Sequence, residues 1–354
     1  MKNGRSGIPR IAELAKVSIG TVDRALHGRP GINERTRQHV LKIAEKIGYK
    51  PNLAARTLVT GKRIRIGICV PRKIAYFYNE LWAGIHEEVR SYGESGIHFA
   101  EPLVPELGKG DRAAFRKLVD EGVQGIILTP GDPESMNPLI DGAEESGIRV
   151  VCVSTDAPQS KRSSIVCVDP YLNGQTAGEL MANFLPAGSK AAIITGMLKT
   201  VDHRKKSEGF AASFEEGNSG RRVVATIEAH EHEQESFQRT KDLLREVTDL
   251  AGIYVNTVNC LPVCRALKAT GRAGKVRLIT TDLFQEMVPY FSSGVIAASM
   301  YQLPFQQGRL AVKSLSEHLL RGIELERAQF LNPTIVLRSN LGLYRETMSV
   351  NPKR

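Results

Sequence analysis

Long apolar runs are what this 354-residue chain most clearly lacks. None approaches the ~18 residues a helix needs to cross a membrane, so no membrane partner is expected. The opening stretch MKNGRSGIPR is basic but has no apolar core of the kind a secretory signal requires, and the expected location is cytoplasmic. Cysteine is scarce: Cys69, Cys152, Cys167, Cys260 and Cys264 make an odd number at irregular spacing. Three fall in apolar, strand-like runs, which suits buried free thiols in a reducing compartment. Cys260 and Cys264 stand one helical turn apart, but no second pair and no histidine lies at a spacing that completes a metal site. Also missing are GxxxxGK[ST], GxSxG and HExxH, and no GxGxxG follows the first strand-like run. These are local sequences that cradle phosphates, expose a nucleophile or hold zinc. Without them no enzyme, no cofactor and no metal is expected.

What is present is a segregated charge. The composition, 42% hydrophobic and 24% charged, is that of a globular chain, and the length suits two or three domains. The net charge is +10, and residues 1–63 hold all of it: 14 Lys/Arg against 4 Asp/Glu, leaving 34 of each sign in the rest. A short basic module on a neutral body is the electrostatic footprint of a polyphosphate binder. A disordered basic tail would share the charge but not the apolar periodicity found here. Ile11, Leu14 and Ala15 share one helical face. Lys16-Val17-Ser18 makes a tight turn with Ser18 as N-cap. A second helix runs from Ile19 to about His27 with Val22, Ala25 and Leu26 inward, and Gly28-Arg29-Pro30-Gly31 breaks it. Asn33 caps a third helix, Glu34 sits at its positive end, and Val40, Ile43, Ala44 and Ile47 form its inner face. Gly48 ends that helix and Pro51 blocks its continuation. The pattern predicts a helix-turn-helix whose second helix enters the DNA major groove, against the alternative of a generic three-helix bundle.

The stretch IAELAKVSIGTVDRALHGRPGINERTRQHVLKIAEKIGYKPNLAARTL closely resembles the N-terminus of the lactose-repressor (LacI) family of bacterial regulators. Val17-Ser18, Thr21-Val22, Arg24, Leu26, Gly28, Thr36-Arg37, Val40, Gly48-Tyr49, Pro51-Asn52, Ala55-Arg56 and Leu58 carry the match. The resemblance implies that Ser18, Thr21 and Arg24 touch phosphates or base edges, with Arg24 suited to guanine, and that Ile19 and Gly20 hold the operator-selecting positions. Gly20 has no side chain to read with. Asp23 stands where the family has Ser, and His27, a phosphate donor, where it has Asn. Asn52, Ala55, Arg56 and Leu58 fall in the implied hinge helix, which pairs with its copy in a dimer; Leu58 is the wedge that opens a base step in the minor groove.

From Ile64 onward, short β-rich runs alternate with longer helical stretches, which predicts parallel sheets covered by helices. The expected strands are 64–70, 125–129, 149–153, 165–168, 191–195, 223–227, 252–255, 276–281 and 296–300; the expected helices are 79–95, 112–122, 136–146, 172–185, 205–216, 233–247, 261–270 and 306–321. So many strands suit two sheets better than one. Ligands of open α/β sheets bind beyond the carboxyl ends of strands. Phe77, Tyr78, Asp132, Asp156, Asn256, Asp282 and Gln302 follow strands there. Carboxylates and amides bond hydroxyls, and aromatic rings stack on the apolar face of a sugar.

This part is similar to the sugar-sensing domain of the same family, on ILTPGDPE, VVCVSTDAP, VDPYLNGQTAGELMANFL, HRKKSEGF, LITTD and YQLPFQQGRLAV. The resemblance implies that Phe77 and Tyr78 flank a ligand and that Asn256, Asp282 and Gln302 bond it. Lys206 replaces a ligand-binding Arg, with loss of a planar two-pronged donor. Ala75 stands where an Asn is common and Ser154 where an Asp is, with Asp156 a substitute. The run His203-Arg204-Lys205-Lys206 reads either as a solvated helix start or as a hint of an acidic or phosphorylated sugar. The expected architecture is an all-α helix-turn-helix DNA-binding domain (1–51), a hinge helix and linker (52–62), and an α/β two-lobed periplasmic-binding-protein-like (type I) domain with two parallel sheets (63–354). Lobe 1 takes about 63–168 plus 304–330, and lobe 2 about 170–299 plus 334–346. The expected function is a DNA-binding transcriptional regulator, by family default a repressor, controlled by a sugar-like effector between the lobes; the alternative is a transport-type sugar-binding protein. The family's tetramers end in a leucine heptad, which LGLYRETMSVNPKR is not, so a homodimer on near-palindromic double-stranded operator DNA is expected.

Overall fold

The computed structural model describes residues 8–26, 30–47, 64–73, 75–93, 96–217 and 219–344. Three helices open it: α1 (Ile8–Ala15), α2 (Ile19–Leu26) and α3 (Glu34–Lys46). Ser18 caps α2, its Oγ accepting from the Thr21 N–H at 3.1 Å, and Asn33 caps α3, its Oδ1 accepting from the Thr36 N–H at 2.8 Å. Ile11, Ala12, Ala15, Val22, Ala25, Val40 and Ala44 form the small core. Leu14, expected inside, is 40% exposed. At about 100° per residue, Ala12 completes the face set by Ile11 and Ala15, while Leu14 falls to its side. Ile47, expected on the inner face of α3, is exposed as well.

The rest is two six-stranded sheets with helices between their strands. Sheet 1 collects β1 (Ile64–Cys69), β2 (Ile97–Ala100), β3 (Gly125–Leu128), β4 (Arg149–Val153), β5 (Ser164–Val168) and β11 (Gln329–Leu331) in the order β11-β5-β4-β3-β1-β2. Sheet 2 collects β6 (Lys190–Thr195), β7 (Arg222–Glu228), β8 (Leu250–Val255), β9 (Arg277–Thr281), β10 (Ile296–Tyr301) and β12 (Thr334–Val336) in the order β12-β10-β9-β8-β6-β7. Central strands such as β3 (GIIL) are buried throughout, as strands covered on both faces must be. The strands that sequence reading missed, β2, β11 and β12, have three or four residues each. They lie at sheet edges, where one-sided burial leaves no continuous apolar run. β12 runs antiparallel to β10, Met300 opposite Ile335, so sheet 2 is not wholly parallel.

The helices are α4 (Ala75–Ser91), α5 (Asp111–Asp120), α6 (Pro133–Glu145), α7 (Pro170–Phe184), α8 (Val201–Phe214), α9 (Glu233–Glu246), α10 (Leu261–Ala269), the short α11 (Val288–Ser292) and α12 (Pro304–Arg321). The chain passes between sheets three times, after β5, after β10 and between β11 and β12. In lobe 1, α4 packs on α12; in lobe 2, α7 packs on α8. Both crossings are backbone-close, and glycine is what permits it. All five cysteines are buried and unbridged. Among the described residues no helix is long and apolar enough to cross a membrane.

Candidate functional site

Two surfaces matter. On α2, Ser18, Ile19, Gly20 and Arg24 are exposed and Thr21 is half-buried. Ile19 shows 57% of its surface although its neighbours Val22 and Ala25 are fully inside. The hydroxyls of Ser18 and Thr21 lie 2.9 Å apart at the start of the helix. His27, Asn52, Ala55, Arg56 and Leu58 lie outside the described residues.

The second surface is a cavity between the lobes, with about 470 Å³ of empty space including open solvent at its mouth. Phe77 and Tyr78 from the first turns of α4, Leu107, and Ser154 and Thr155 after β4 line it from lobe 1. Lobe 2 supplies Thr200, Asp202, His203 and Lys206 at the start of α8, Glu231 after β7, Asn256 and Thr257 after β8, Asp282 after β9 and Gln302 after β10. Phe77, Tyr78, Lys206, Asn256, Asp282 and Gln302 are therefore brought together, from segments up to 225 residues apart.

Asp132 and Asp156 are not. Asp156 faces the Arg162 guanidinium, which donates from Nε and, at 2.6 Å, from Nη2. Asp132 caps α6 and reaches Lys199 at 3.4 Å on the outer edge of the cleft. Each carboxylate already has its partner, and neither lines the cavity. Sequence reading in turn missed Asp202 and Glu231. Asp202 stands four residues before Lys206, a spacing that pairs opposite charges on one helix face. Glu231 also follows a strand of sheet 2, three residues beyond β7, which lies three strands from the β9 that precedes Asp282. Leu107 follows β2, and with that strand unread nothing signalled it.

The polar groups are organised. Lys206, 1% exposed, donates to Asp202 Oδ2 at 2.7 Å and towards the Asn256 carbonyl at 3.5 Å. The Asn256 amide donates to the His203 carbonyl and to Ser207 Oγ, both at 2.9 Å. Gln302 donates to Asp282 from its backbone N at 3.2 Å and from Nε2 at 2.8 Å. The Met197 N–H donates to His203 Nδ1 at 3.0 Å, which places the ring proton of the neutral imidazole on Nε2. Arg204 and Lys205 turn outward to Glu208. The basic run is thus neither a solvated start nor a cationic pocket: half of it is buried, and its one buried ammonium is paired.

Strain gathers at the same place. Ser154, His230, Glu231, Asp282 and Leu303 have φ between 48° and 65°. A non-glycine residue held there costs of order 1–3 kcal/mol, so the surrounding structure holds these side chains at their positions. Both rims of the cleft are bridged: Thr200 Oγ1 donates to the Gly131 carbonyl at 2.9 Å and Asp202 N to Thr155 Oγ1 at 3.3 Å. On the other rim Tyr76 stacks on Phe284, ring centroids 3.9 Å apart, and the Tyr301 hydroxyl donates to Glu80.

Burial pushes the Glu80 carboxyl up to about 8, Glu231 to about 7 and Asp282 to about 6, and pushes His203 down to about 4. The three carboxyls hold protons more tightly folded than unfolded, so their stabilisation is complete at low pH and is lost as pH climbs through 6 to 8. His203 works oppositely and only below about 6.5, its ordinary value. The ligand-free protein is expected to lose roughly 2–3 kcal/mol between about pH 6.5 and 8.5, seen as a falling urea midpoint. Glu80→Gln should flatten much of that decline, and a level wild-type profile would show that these carboxyls titrate normally.

A helix-turn-helix reader in one chain with a two-lobed α/β domain and a polar cavity between its sheets defines a ligand-binding regulator. Residues 66–323 match the periplasmic binding protein domain family and residues 8–52 match bacterial regulatory proteins, lacI family. The chain belongs to the periplasmic binding protein domain family, joined here to the DNA-binding module of the lacI family of bacterial regulatory proteins. It is 26% identical over 255 residues to catabolite control protein A of Priestia megaterium, covering 70% of this chain and 72% of that one. It is 37% identical over 119 residues to the HTH-type transcriptional regulator AglR of Rhizobium meliloti, 32% of each chain. A transporter solute binding protein of Burkholderia graminis, solved in complex with D-arabinose, shares the fold at a TM-score of 0.72 and 23% identity, covering 79% of this chain and 97% of that one.

Proposed function

We propose that this protein is a cytoplasmic transcriptional repressor that binds near-palindromic double-stranded operator DNA as a homodimer and changes its operator affinity when a small carbohydrate-like effector occupies the cleft. The observation that carries the reading is the convergence of two aromatic rings, a paired lysine, two carboxamides and Asp282 on one cavity beyond the strand ends of both sheets. A ligand held there touches both lobes and favours one closure state; transmitted to the segment after α3, closure sets the spacing of two DNA readers.

In this reading Ser18, Ile19, Gly20, Thr21 and Arg24, with His27, Asn52, Ala55, Arg56 and Leu58 from the following segments, form the DNA-contacting set. Arg24→Ala is expected to weaken operator binding by about 1–3 kcal/mol and to relax the preference at one base pair, measured by fluorescence anisotropy at fixed salt. Equal loss on operator and random duplex would reduce Arg24 to a phosphate contact. Half-site DNA bound as tightly as the full operator would contradict the dimer. A panel of monosaccharides and polyols tests the effector: at 100-fold over its Kd a ligand adds about 2.7 kcal/mol to the folded state, and the same ligand must shift the anisotropy curve. Stabilisation with no effect on operator binding would separate the cleft from regulation.

A further inference from the structure

We propose that the effector of this cleft carries a protonated amine beside its hydroxyls, as an amino sugar or aminopolyol does, with the amine seated against Glu231 and Asp202. The proposal rests on the cleft being the effector site. Three carboxyl groups face the cavity, Asp202, Glu231 and Asp282, against one ammonium, Lys206. That ammonium already donates to Asp202 Oδ2. Among the described residues no arginine lines the cavity, and His203 is held in its neutral form by burial. At the mouth Lys73 and Lys109 share one carboxylate, Glu106, at 2.7 and 2.9 Å; the single positive charge left there lies outside the cavity lining.

The acceptors are also short of donors. Asp202 Oδ1, Glu231 Oε2 and Asn256 Oδ1 are buried with no hydrogen-bond partner among the described residues. Asn256 is fully buried and Asp202 is 9% exposed. The three residues, from α8, the loop after β7 and the loop after β8, all line the cavity. An unpaired buried acceptor is costly, and a charged one more so. An ammonium brings three N–H donors and a positive charge and satisfies both demands, whereas a hydroxyl supplies one donor and no charge. A carboxylate or phosphate would face three acidic groups with one engaged lysine, so the anionic sugars admitted by the run His203–Lys206 are excluded.

The test is isothermal titration of the full chain at pH 7 with matched pairs: D-glucosamine and D-glucose, D-galactosamine and D-galactose, D-mannosamine and D-mannose, 1-amino-1-deoxy-D-ribitol and ribitol, with D-glucuronate as the anionic probe. At least one amine should bind tenfold or more tighter than its parent, about 1.4 kcal/mol, and glucuronate should be weakest. Glu231→Gln should collapse that ratio towards one, with the ligand-free melting temperature reporting that the variant is folded. Parents that bind as well as their amines, or glucuronate binding tightest, overturn the amine and leave the cleft reading standing. No binding by any probe overturns both. A ratio unchanged in folded Glu231→Gln overturns the placement of the amine.

Discussion

Adding one methyl group at Gly209 is expected to destabilise the protein by about 3 kcal/mol, at the upper end of overpacking costs. A Cβ there would stand 2.1 Å from the Tyr171 carbonyl oxygen, as a Cβ at Gly174 would stand 2.2 Å from that of Lys206. Both obstacles are helix backbone, which cannot rotate aside as a side chain can, so α8 has to move off α7. The consequence reaches the cavity, because α8 carries Asp202, His203 and Lys206 into it. Gly209→Ala should therefore lower both the urea midpoint and the affinity for any cleft ligand. Gly142, in α6 with nothing within 4 Å of its added Cβ, is the control. Gly142→Ala should gain about 0.5–1 kcal/mol from helix propensity alone. Equal stability of Gly209→Ala and wild type would show that the two helices are not in backbone contact. The same device recurs in lobe 1, where a Cβ at Gly84 would stand 2.0 Å from the Phe305 carbonyl oxygen and one at Gly308 2.3 Å from that of Leu81.

Lys206→Met is expected to cost about 3 kcal/mol at pH 7. The ammonium is 1% exposed, and its loss leaves the Asp202 carboxylate, 12% exposed, without its 2.7 Å partner. Removing one half of a buried pair leaves an uncompensated charge, and that penalty exceeds the worth of the pair itself. The double variant Lys206→Met/Asp202→Asn should recover a good part of the loss, since no buried charge remains. Additive costs in the double-mutant cycle would mean that Lys206 acts through packing alone.

How much of this was legible in sequence differs by element. The caps Ser18 and Asn33 and the buried positions Val22, Val40 and Ala44 could be read because each depends on residues within a turn or two. The cavity was legible wherever a polar residue directly follows a strand whose last four residues are buried: Asn256 after YV, Asp282 after TT, Gln302 after MY. It was missed at Glu231, which stands three residues past the end of β7 and not directly after it, and at Leu107, whose strand was too short to register. The start of α8 was placed four residues late because three residues of VDHR are polar; two of them, Asp202 and His203, face the cavity.

Local sequence alone determined the class of this protein: a cationic three-helix module ahead of two α/β layers. Helix phase, capping and the placement of charge are set by neighbours in the chain. Only the tertiary structure decided which carboxylates look into the cleft. Asp132, Asp156 and Asp282 all follow strands, by four, three and one residues. What separates them is the side chain standing opposite: Lys199 for one and Arg162 for the other, and for Asp282 an open cavity and the Gln302 amide. A carboxylate's role depends on whether a cation already neutralises it, and for Asp132 that cation arrives from 67 residues along the chain.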